Sequence, residues 1–230
     1  MGDKMNETDA SLIQDNSVKW RVIDGHSPVL EVELAAGVSI TAIADSFLAK
    51  SPDIEMVSAE DARHVRFHNQ SAETELLYLA PQQIGAMMMF DLSLYRQGLI
   101  VAAPSLFAFD DTVNASLVLD VPLGEGASSH YQLYQLTGDG VMIAFMGGDL
   151  FPLPLTSADI QQVTASSLAA MEPSVSFELD KLGDGHFVAS LTGPGRIWLQ
   201  SLPSERQKMT GAAADIAQNR APKKGLFRRR

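Results

Sequence analysis

The stretch Ser105-Leu106-Phe107-Ala108-Phe109-Asp110-Asp111-Thr112-Val113 has two counterparts elsewhere in the chain. One begins at Ser46 and reads Ser-Phe-Leu-Ala-Lys-Ser-Pro-Asp-Ile, and the other begins at Ser167 and reads Ser-Leu-Ala-Ala-Met-Glu-Pro-Ser-Val. Each copy consists of a serine, two apolar residues, an alanine, a polar turn and a β-branched residue. The copies begin 59 and 62 residues apart, and a near-constant period of this size is typical of a protein built from repeated structural units.

Alternating apolar residues precede each copy at a similar distance, in the runs Leu30–Leu34, Phe90–Leu94 and Phe151–Leu155. Alternation with a period of two places the apolar side chains on one face of a β-strand. A third segment common to the three units follows each copy, and its Pro and Gly residues mark turns. Each unit is therefore predicted to be a set of short antiparallel strands. Since one unit is too small to bury a good core alone, we expect three units to pack together around one core. In that core the equivalent residues Phe47, Leu106 and Leu168 should all be buried.

The predicted organisation is all-β, with one β domain between polar termini. The β domain covers residues 18–203, with repeats at about 18–85, 86–147 and 148–203. The Asp-, Asn- and Ser-rich residues 1–17 predict a disordered N-terminus. Residues 204–219 are predicted to form a short helix, because Ser204 and Gln207 resemble a capping box. Residues 220–230 are predicted to be a basic disordered tail.

Three local features of the third unit lead to expectations of their own. Pro152 and Pro154 lack backbone N–H donors, so their strand is expected to lie at a sheet edge or to be only half paired. The alanine-rich segment Ser157–Ala170 could be interpreted as a helix, but alignment with the other copies favours strands. Thr192–Gly195 is predicted to be a tight structural turn in which Gly195 adopts a positive φ.

The composition is ordinary for a globular protein, with 46% hydrophobic and 20% charged residues. The chain has no cysteine, which excludes disulfides, thiolate metal sites and thiol nucleophiles. No apolar run is long enough for a membrane span. The polar, acidic N-terminus lacks the apolar core of a signal peptide. We therefore expect a cytoplasmic location, with peripheral contact to a membrane as an option.

The net charge of −11 is unevenly distributed. Residues 204–230 hold eight Lys and Arg against two acidic residues, so this segment carries +6 and residues 1–203 carry −17. An acidic body repels phosphates, which disfavours nucleic acid as a partner of the body. The acidity also serves solubility.

The basic tail is the stretch for which the sequence suggests a binding role. Its candidate contact residues are Lys223, Lys224, Leu226, Phe227, Arg228, Arg229 and Arg230. Cations beside two large apolar side chains suit an anionic membrane surface. Nucleic acid and an acidic protein are alternative partners of the tail. A third interpretation is a solvated terminus, or one that folds back on the acidic body.

No catalytic motif stands out. His64 and His68 are expected on a strand, where their side chains are about 13 Å apart and too distant to share a metal. The Gly-x-Gly pairs are interpreted as hairpin turns, because none continues into a dinucleotide-binding motif. Asp110 and Asp111 align with Ser51-Pro52 and Glu172-Pro173, which favours a turn role over catalysis. We expect no cofactor and no metal site.

A family resemblance rests on three stretches. They are Pro28–Leu34 followed by Gly37, Asp53-Ile54-Glu55-Met56, and above all Leu191-Thr192-Gly193-Pro194-Gly195-Arg196-Ile197-Trp198-Leu199-Gln200-Ser201. Over residues 18–203 the chain resembles the AIM24 family of mitochondrial and bacterial proteins. The resemblance implies a TRAP-like β fold, a compact relative of the double-stranded β-helix, often with repeats about a pseudo-threefold axis. The resemblance assigns no catalytic residue to this chain. Many family members have a Gly-rich insertion after the Ile-Glu-Met stretch, where this chain has the charged segment Val57–His64.

The expected function follows from these points. We expect a non-enzymatic β-rich binding or scaffold module of the AIM24 type that self-associates and touches membranes or membrane-organising complexes through its tail. The alternative is a small-ligand or metal-dependent enzyme on a double-stranded β-helix fold.

Overall fold

The computed structural model describes residues 12–14, 17–25, 27–58, 63–122, 130–182 and 186–203. These residues form twenty β-strands and four 3-10 helices of three residues each. The all-β prediction is confirmed. The predicted helix 204–219 and the basic tail 220–230 lie outside the described residues.

The first described strands are β1 (Leu12–Gln14) and β2 (Val18–Ile23), which pair antiparallel as a ribbon. Strand β1 belongs to the segment 1–17 for which disorder is predicted; residues 1–11, 15 and 16 of that segment are not described. Strand β2 buries Val18 and Trp20, because its alternate side chains face the core.

Three consecutive units of six strands follow. The strands of the first unit are β3 (Val29–Leu34), β4 (Ser39–Ile43), β5 (Phe47–Lys50), β6 (Ile54–Ser58), β7 (His64–Asn69) and β8 (Glu75–Leu79). Those of the second unit are β9 (Gly85–Asp91), β10 (Leu99–Ala102), β11 (Leu106–Asp110), β12 (Asn114–Pro122), β13 (His130–Thr137) and β14 (Val141–Gly147). Those of the third unit are β15 (Leu150–Leu155), β16 (Ile160–Thr164), β17 (Leu168–Met171), β18 (Ser176–Leu182), β19 (His186–Thr192) and β20 (Gly195–Gln200).

The four 3-10 helices are Ala44–Ser46, Leu92–Leu94, Ala103–Ser105 and Ala165–Ser167. Three of them join the second strand of a unit to the third. The helix Leu92–Leu94 ends the alternating run that began at Phe90, so the prediction of a strand through Leu94 is wrong there. The Asp91 carboxylate accepts hydrogen bonds from the Ser93 backbone N–H and hydroxyl, which turns the chain out of the sheet.

Strand pairing follows the same rule in each unit. The last strand pairs with the first on one side and with the third on the other, as β8 does with β3 and β5. The fifth strand pairs with the second and the fourth, as β7 does with β4 and β6. The second and third units repeat these pairs. Each third strand also has a register shift at the motif, between Phe47 and Ala49, Leu106 and Ala108, or Leu168 and Ala170.

Neighbouring units share sheets. Strand β4 of the first unit pairs with β11 of the second, and β10 of the second pairs with β17 of the third. These two joints produce the six-stranded sheets β6-β7-β4-β11-β14-β9 and β12-β13-β10-β17-β20-β15. The remaining strands form a five-stranded sheet that ends at β5 and a three-stranded sheet that begins at β16.

The core follows from the alternation that the sequence shows. Leu30, Val32 and Leu34 are fully buried while Glu31 and Glu33 point outward. Strand β14 is apolar throughout and buried at every position, because it lies between β9 and β11 within its sheet and is covered on both faces. Phe90 packs edge-on against Trp198 with ring centroids 5.2 Å apart, which joins the second and third units.

The local expectations for the third unit are confirmed. The segment Ser157–Ala170 contains β16, a 3-10 helix and the start of β17 rather than an α-helix. Strand β15, with Pro152 and Pro154, lies at the edge of its sheet. Strand β20 begins directly after the turn that follows β19, and its first residue, Gly195, has φ 146°. A Cβ at Gly195 would lie 2.7 Å from the Val175 side chain, so this close approach requires glycine.

The three copies of the motif differ in burial. Leu106 and Leu168 are each 1% exposed, as equivalent core residues should be. Phe47, which occupies the same position in the first unit, is 43% exposed, so the expectation that all three are buried is wrong. The reason is that, among the described strands, β11 and β17 each have a neighbour on both sides, whereas β5 has a neighbour on one side only.

Candidate functional site

The free edge of β5 is the first element of the candidate site. All of Phe47, Leu48 and Ala49 are exposed, whereas their counterparts in β11 and β17 are buried. Leu48 is 56% exposed, while the equivalent Phe107 is 2% exposed. An edge with unpaired backbone groups and apolar side chains is a template for another strand.

The free edge of β16 is the second element. Ile160, Gln161, Gln162 and Thr164 are exposed and Val163 is half-buried. The equivalent strands β4 and β10 are mostly buried, since each pairs with the third strand of the next unit. Ile160 is 69% exposed, among the largest exposed fractions of the described apolar side chains.

The pairings β4–β11 and β10–β17 are the closed joints between units. Both free edges carry polar residues at positions where the closed joints carry apolar residues. Lys50 occupies the position of Phe109 and Met171, and its Nζ donates to the Ser51 carbonyl at 3.4 Å. Gln161 occupies the position of Ile40 and Leu99, both of which are fully buried. A charged side chain such as that of Lys50 lowers the tendency of a free edge to aggregate. These exchanges are the sequence signal that alignment of the three units could have used to find the open edges.

The Asp110 carboxylate has a structural role. It is 5% exposed, and its Oδ1 accepts from the Thr112 backbone N–H at 3.0 Å and the Thr112 hydroxyl at 2.5 Å. Its Oδ2 accepts from the Val141 backbone N–H at 2.7 Å. A Cβ at Gly140 would lie 2.0 Å from this carboxylate, so only glycine permits the approach. Asp111 instead forms an exposed ion pair with Arg66 at 2.6 Å.

The counterparts of Asp110 bind the last strand of their own unit in the same way. The Ser51 Oγ accepts from the Leu76 N–H at 3.2 Å, and the Glu172 Oε2 accepts from the Arg196 N–H at 3.1 Å. The turn role predicted for this position is therefore confirmed.

The described histidines are dispersed. His64 and His68 lie on strand β7, as predicted, and the His68 Nδ1 lies 2.8 Å from the Ser39 hydroxyl. The His130 Nδ1 lies 2.6 Å from the Asp120 Oδ1, and this hydrogen bond lowers the pKa of Asp120. Among the residues that the structure describes, no group of three or more His, Asp or Glu side chains is placed to hold a metal ion.

A cleft of about 250 Å³ opens beside the start of β5. Its walls combine apolar and polar side chains, namely Ile43, Ala80, Pro81, Pro104, Phe107, Phe145, Asp45, Ser46, Arg63, Gln82 and Gln83. The Gln82 Nε2 donates to the Asp45 carbonyl at 3.3 Å, which ties the loop after β8 to the 3-10 helix before β5. Sequence reasoning missed this cleft, because its residues come from separate segments of two units.

The sequence-predicted contact residues of the tail, Lys223, Lys224, Leu226, Phe227, Arg228, Arg229 and Arg230, lie outside the described residues. Of the helices that the structure describes, none has the length and apolar character needed to cross a membrane.

Comparison with known proteins found a solved structure with a similar fold and a matching family model. A solved structure, protein SPYM3_0169 from Streptococcus pyogenes, is similar with a TM-score of 0.72 and 16% sequence identity, covering 87% of this chain and 100% of that one. At this identity the likeness shows the fold alone. No curated protein matches the chain. The model of the family described as "Mitochondrial biogenesis AIM24" matches residues 20–202. Since this match spans most of the chain, the protein belongs to the AIM24 family.

Proposed function

We propose that this AIM24 protein is a non-enzymatic binding module that acts as a scaffold by adding partner strands to the free edges of β5 and β16. The single observation that carries the proposal is the exposure of these edges. Both present backbone hydrogen-bonding groups beside apolar side chains such as Leu48 and Ile160. In strand addition, main-chain hydrogen bonds supply affinity and alternate side chains supply specificity.

Affinity purification from the native cell tests the proposal when wild-type protein is compared with edge variants. Leu48→Glu and Ile160→Glu place a charge at each edge, where burial of that charge under a partner strand is costly. Leu94→Glu is the matched control, because Leu94 is 76% exposed and lies in a 3-10 helix outside both edge strands. We expect the edge variants to lose proteins that wild type and the control retain. Identical sets of recovered proteins, with equal recovery of untagged copies of this chain, would contradict strand addition.

We further propose that the tail brings this scaffold to an anionic membrane surface from the cytoplasmic side. The support is the charge distribution: residues 223–230 hold five cations beside Leu226 and Phe227, while residues 1–203 carry −17. Each cation near an anionic surface contributes about 1 kcal/mol, and apolar side chains add a component that salt does not screen.

Co-sedimentation with anionic vesicles tests the role of the tail. Deletion of residues 221–230 should reduce pelleting, and salt should weaken the binding of the full-length protein, since the attraction acts over about 10 Å at 0.1 M ionic strength. Replacement of Leu226 and Phe227 by Ser should lower the affinity that remains at high salt. Equal pelleting of the full-length and truncated proteins would assign the basic residues to contacts with protein.

A second candidate function is small-ligand binding in the cleft beside β5, which the mixture of aromatic, amide and charged side chains around it favours. The test is mass spectrometry of small molecules released on denaturation of the purified protein. Ala80→Trp would fill the cleft and should abolish release of a genuine ligand. A molecule released equally from the wild-type and Ala80→Trp proteins would not come from the cleft. A stoichiometric amount of metal in either protein would favour the enzyme alternative.

A further inference from the structure

The two closed joints define what a free third strand accepts. In the first joint, Ala108 of β11 lies opposite Ala42 of β4, and Phe109 lies opposite Thr41. In the second joint, Ala170 of β17 lies opposite Val101 of β10, and Met171 lies opposite Ile100. In both joints the second strand of one unit pairs antiparallel with the third strand of the following unit, in the same register relative to the motif.

The free edges are the two halves of a third joint of this kind. Among the strands that the structure describes, β5 is a third strand without a neighbour on its outer side, and β16 is a second strand without one. Within the described residues, the two do not pair with each other. One copy of the chain therefore offers one edge of each type, and each edge fits the opposite edge of another copy.

We propose that β16 of one copy pairs antiparallel with β5 of a second copy, so that the chain assembles head to tail through a third joint. This inference rests on the proposed function and names the partner at the same edges. The assembled sheet would have the order β18-β19-β16, then β5-β8-β3 of the second copy, which is the strand order of the two six-stranded sheets within one chain.

The register of the new joint follows from the motif. Ala49 aligns with Ala108 and Ala170, and Val163 aligns with Val101. The third joint therefore places Val163 opposite Ala49, which is the same pair of residue types as Val101 and Ala170 in the second joint. The next pair is Gln162 opposite Lys50, at the positions of Ile100 and Met171.

The polar residues at the third joint make this pairing reversible. Burying Lys50 and Gln161 costs more than burying the apolar residues of the closed joints, while the backbone hydrogen bonds are the same. A single copy can therefore stay in solution with both edges free. Because the contact joins two different surfaces, assembly continues until a ring closes or a filament forms.

Disulfide trapping between copies tests the inference, and the absence of native cysteine keeps the background clean. Lys50→Cys and Gln162→Cys are made in separate full-length proteins and mixed under mild oxidation. Directly opposed residues in an antiparallel pair lie about 4.5–5.5 Å apart at Cα, within disulfide range. We expect a covalent heterodimer from this mixture. Lys50→Cys mixed with Gln161→Cys is the control, because that side chain points to the opposite face of the strand.

Each other outcome overturns the inference. If a chain carrying both substitutions forms its disulfide within a monomer at high dilution, the edges close on each other in one copy. If the control mixture cross-links equally well, the contact is non-specific. If no cross-link forms while the affinity purification still recovers other proteins through Leu48 and Ile160, the proposed function stands and the partner is not a second copy. If neither experiment shows an edge contact, both proposals fail.

Discussion

Strands β11 and β5 show what the same motif does in two settings. Both pair with the last strand of their own unit, and both have the same register shift within the motif. Strand β11 also pairs with β4 on its outer side and buries Leu106 and Phe107. Strand β5 has no partner on its outer side within the described part of the chain, and it exposes Phe47 and Leu48. Burial of the motif is therefore decided by the neighbouring unit rather than by the motif.

The comparison also shows how the chain tolerates a free edge. The residue after the motif alanine is Phe109 in β11 and Lys50 in β5. Phe109 lies edge-on to His64 with ring centroids 6.1 Å apart, across the joint with the first unit. Lys50 lies at the free edge of β5 and places a charge there. A charge at an exposed edge protects the strand from uncontrolled pairing.

The largest difference between the two strands is expected from truncation of their first apolar residue. Leu106→Ala removes a side chain that is 1% exposed and should lower the free energy of unfolding by about 2–5 kcal/mol. Phe47→Ala removes a larger side chain but should cost about 1 kcal/mol or less, because Phe47 is already 43% exposed. Urea denaturation of the two variants measures both values. Equal losses would mean that β5 is buried in the folded protein, as a strongly assembled third joint would require.

A smaller difference is expected at the turn after each strand. Asp110→Ala leaves the buried Val141 N–H without its acceptor and should cost about 1–3 kcal/mol. Ser51→Ala removes a single hydrogen bond, from the Leu76 N–H, and should cost at most about 1 kcal/mol. Denaturation of the two variants under the same conditions checks the order. A loss for Ser51→Ala that matches Asp110→Ala would show that the turn at the free edge is as firmly held as the turn at the joint.

Much of the fold could be predicted from local pattern. The alternation of Leu30, Val32 and Leu34, the edge position of Pro152 and the turn at Gly195 each depend on the chemistry of a few neighbouring residues. The exposure of Phe47 could not be predicted in this way, because it depends on whether β16 reaches β5, two units away in sequence. The cleft was missed for the same reason: its side chains converge only when the units pack. The tail stays a prediction.

The smallest effect is expected at the turn that leads into the free edge of β16. The Asp159 Oδ2 accepts from the Thr156 backbone N–H at 2.6 Å, and this hydrogen bond lowers the pKa of Asp159 below its ordinary value of 3.8. A carboxyl group whose pKa is lowered by folding stabilises the folded state above its unfolded-state pKa, and this contribution is lost as the pH falls through the folded-state pKa. Asp159→Asn should therefore lower the denaturation midpoint slightly at pH 7, and the difference from wild type should shrink below about pH 4.

Asp120→Asn on strand β12 is the matched control for this turn, since the pKa of Asp120 is also lowered but at a site remote from both edges in sequence. If the third joint forms between copies, Asp159→Asn should in addition weaken the cross-link between the Lys50→Cys and Gln162→Cys proteins at neutral pH. The reason is that the Asp159 hydrogen bond holds the turn from which β16 begins. Asp120→Asn should leave that cross-link unchanged. Loss of the cross-link in both variants would indicate a general loss of stability rather than an effect of the turn on β16.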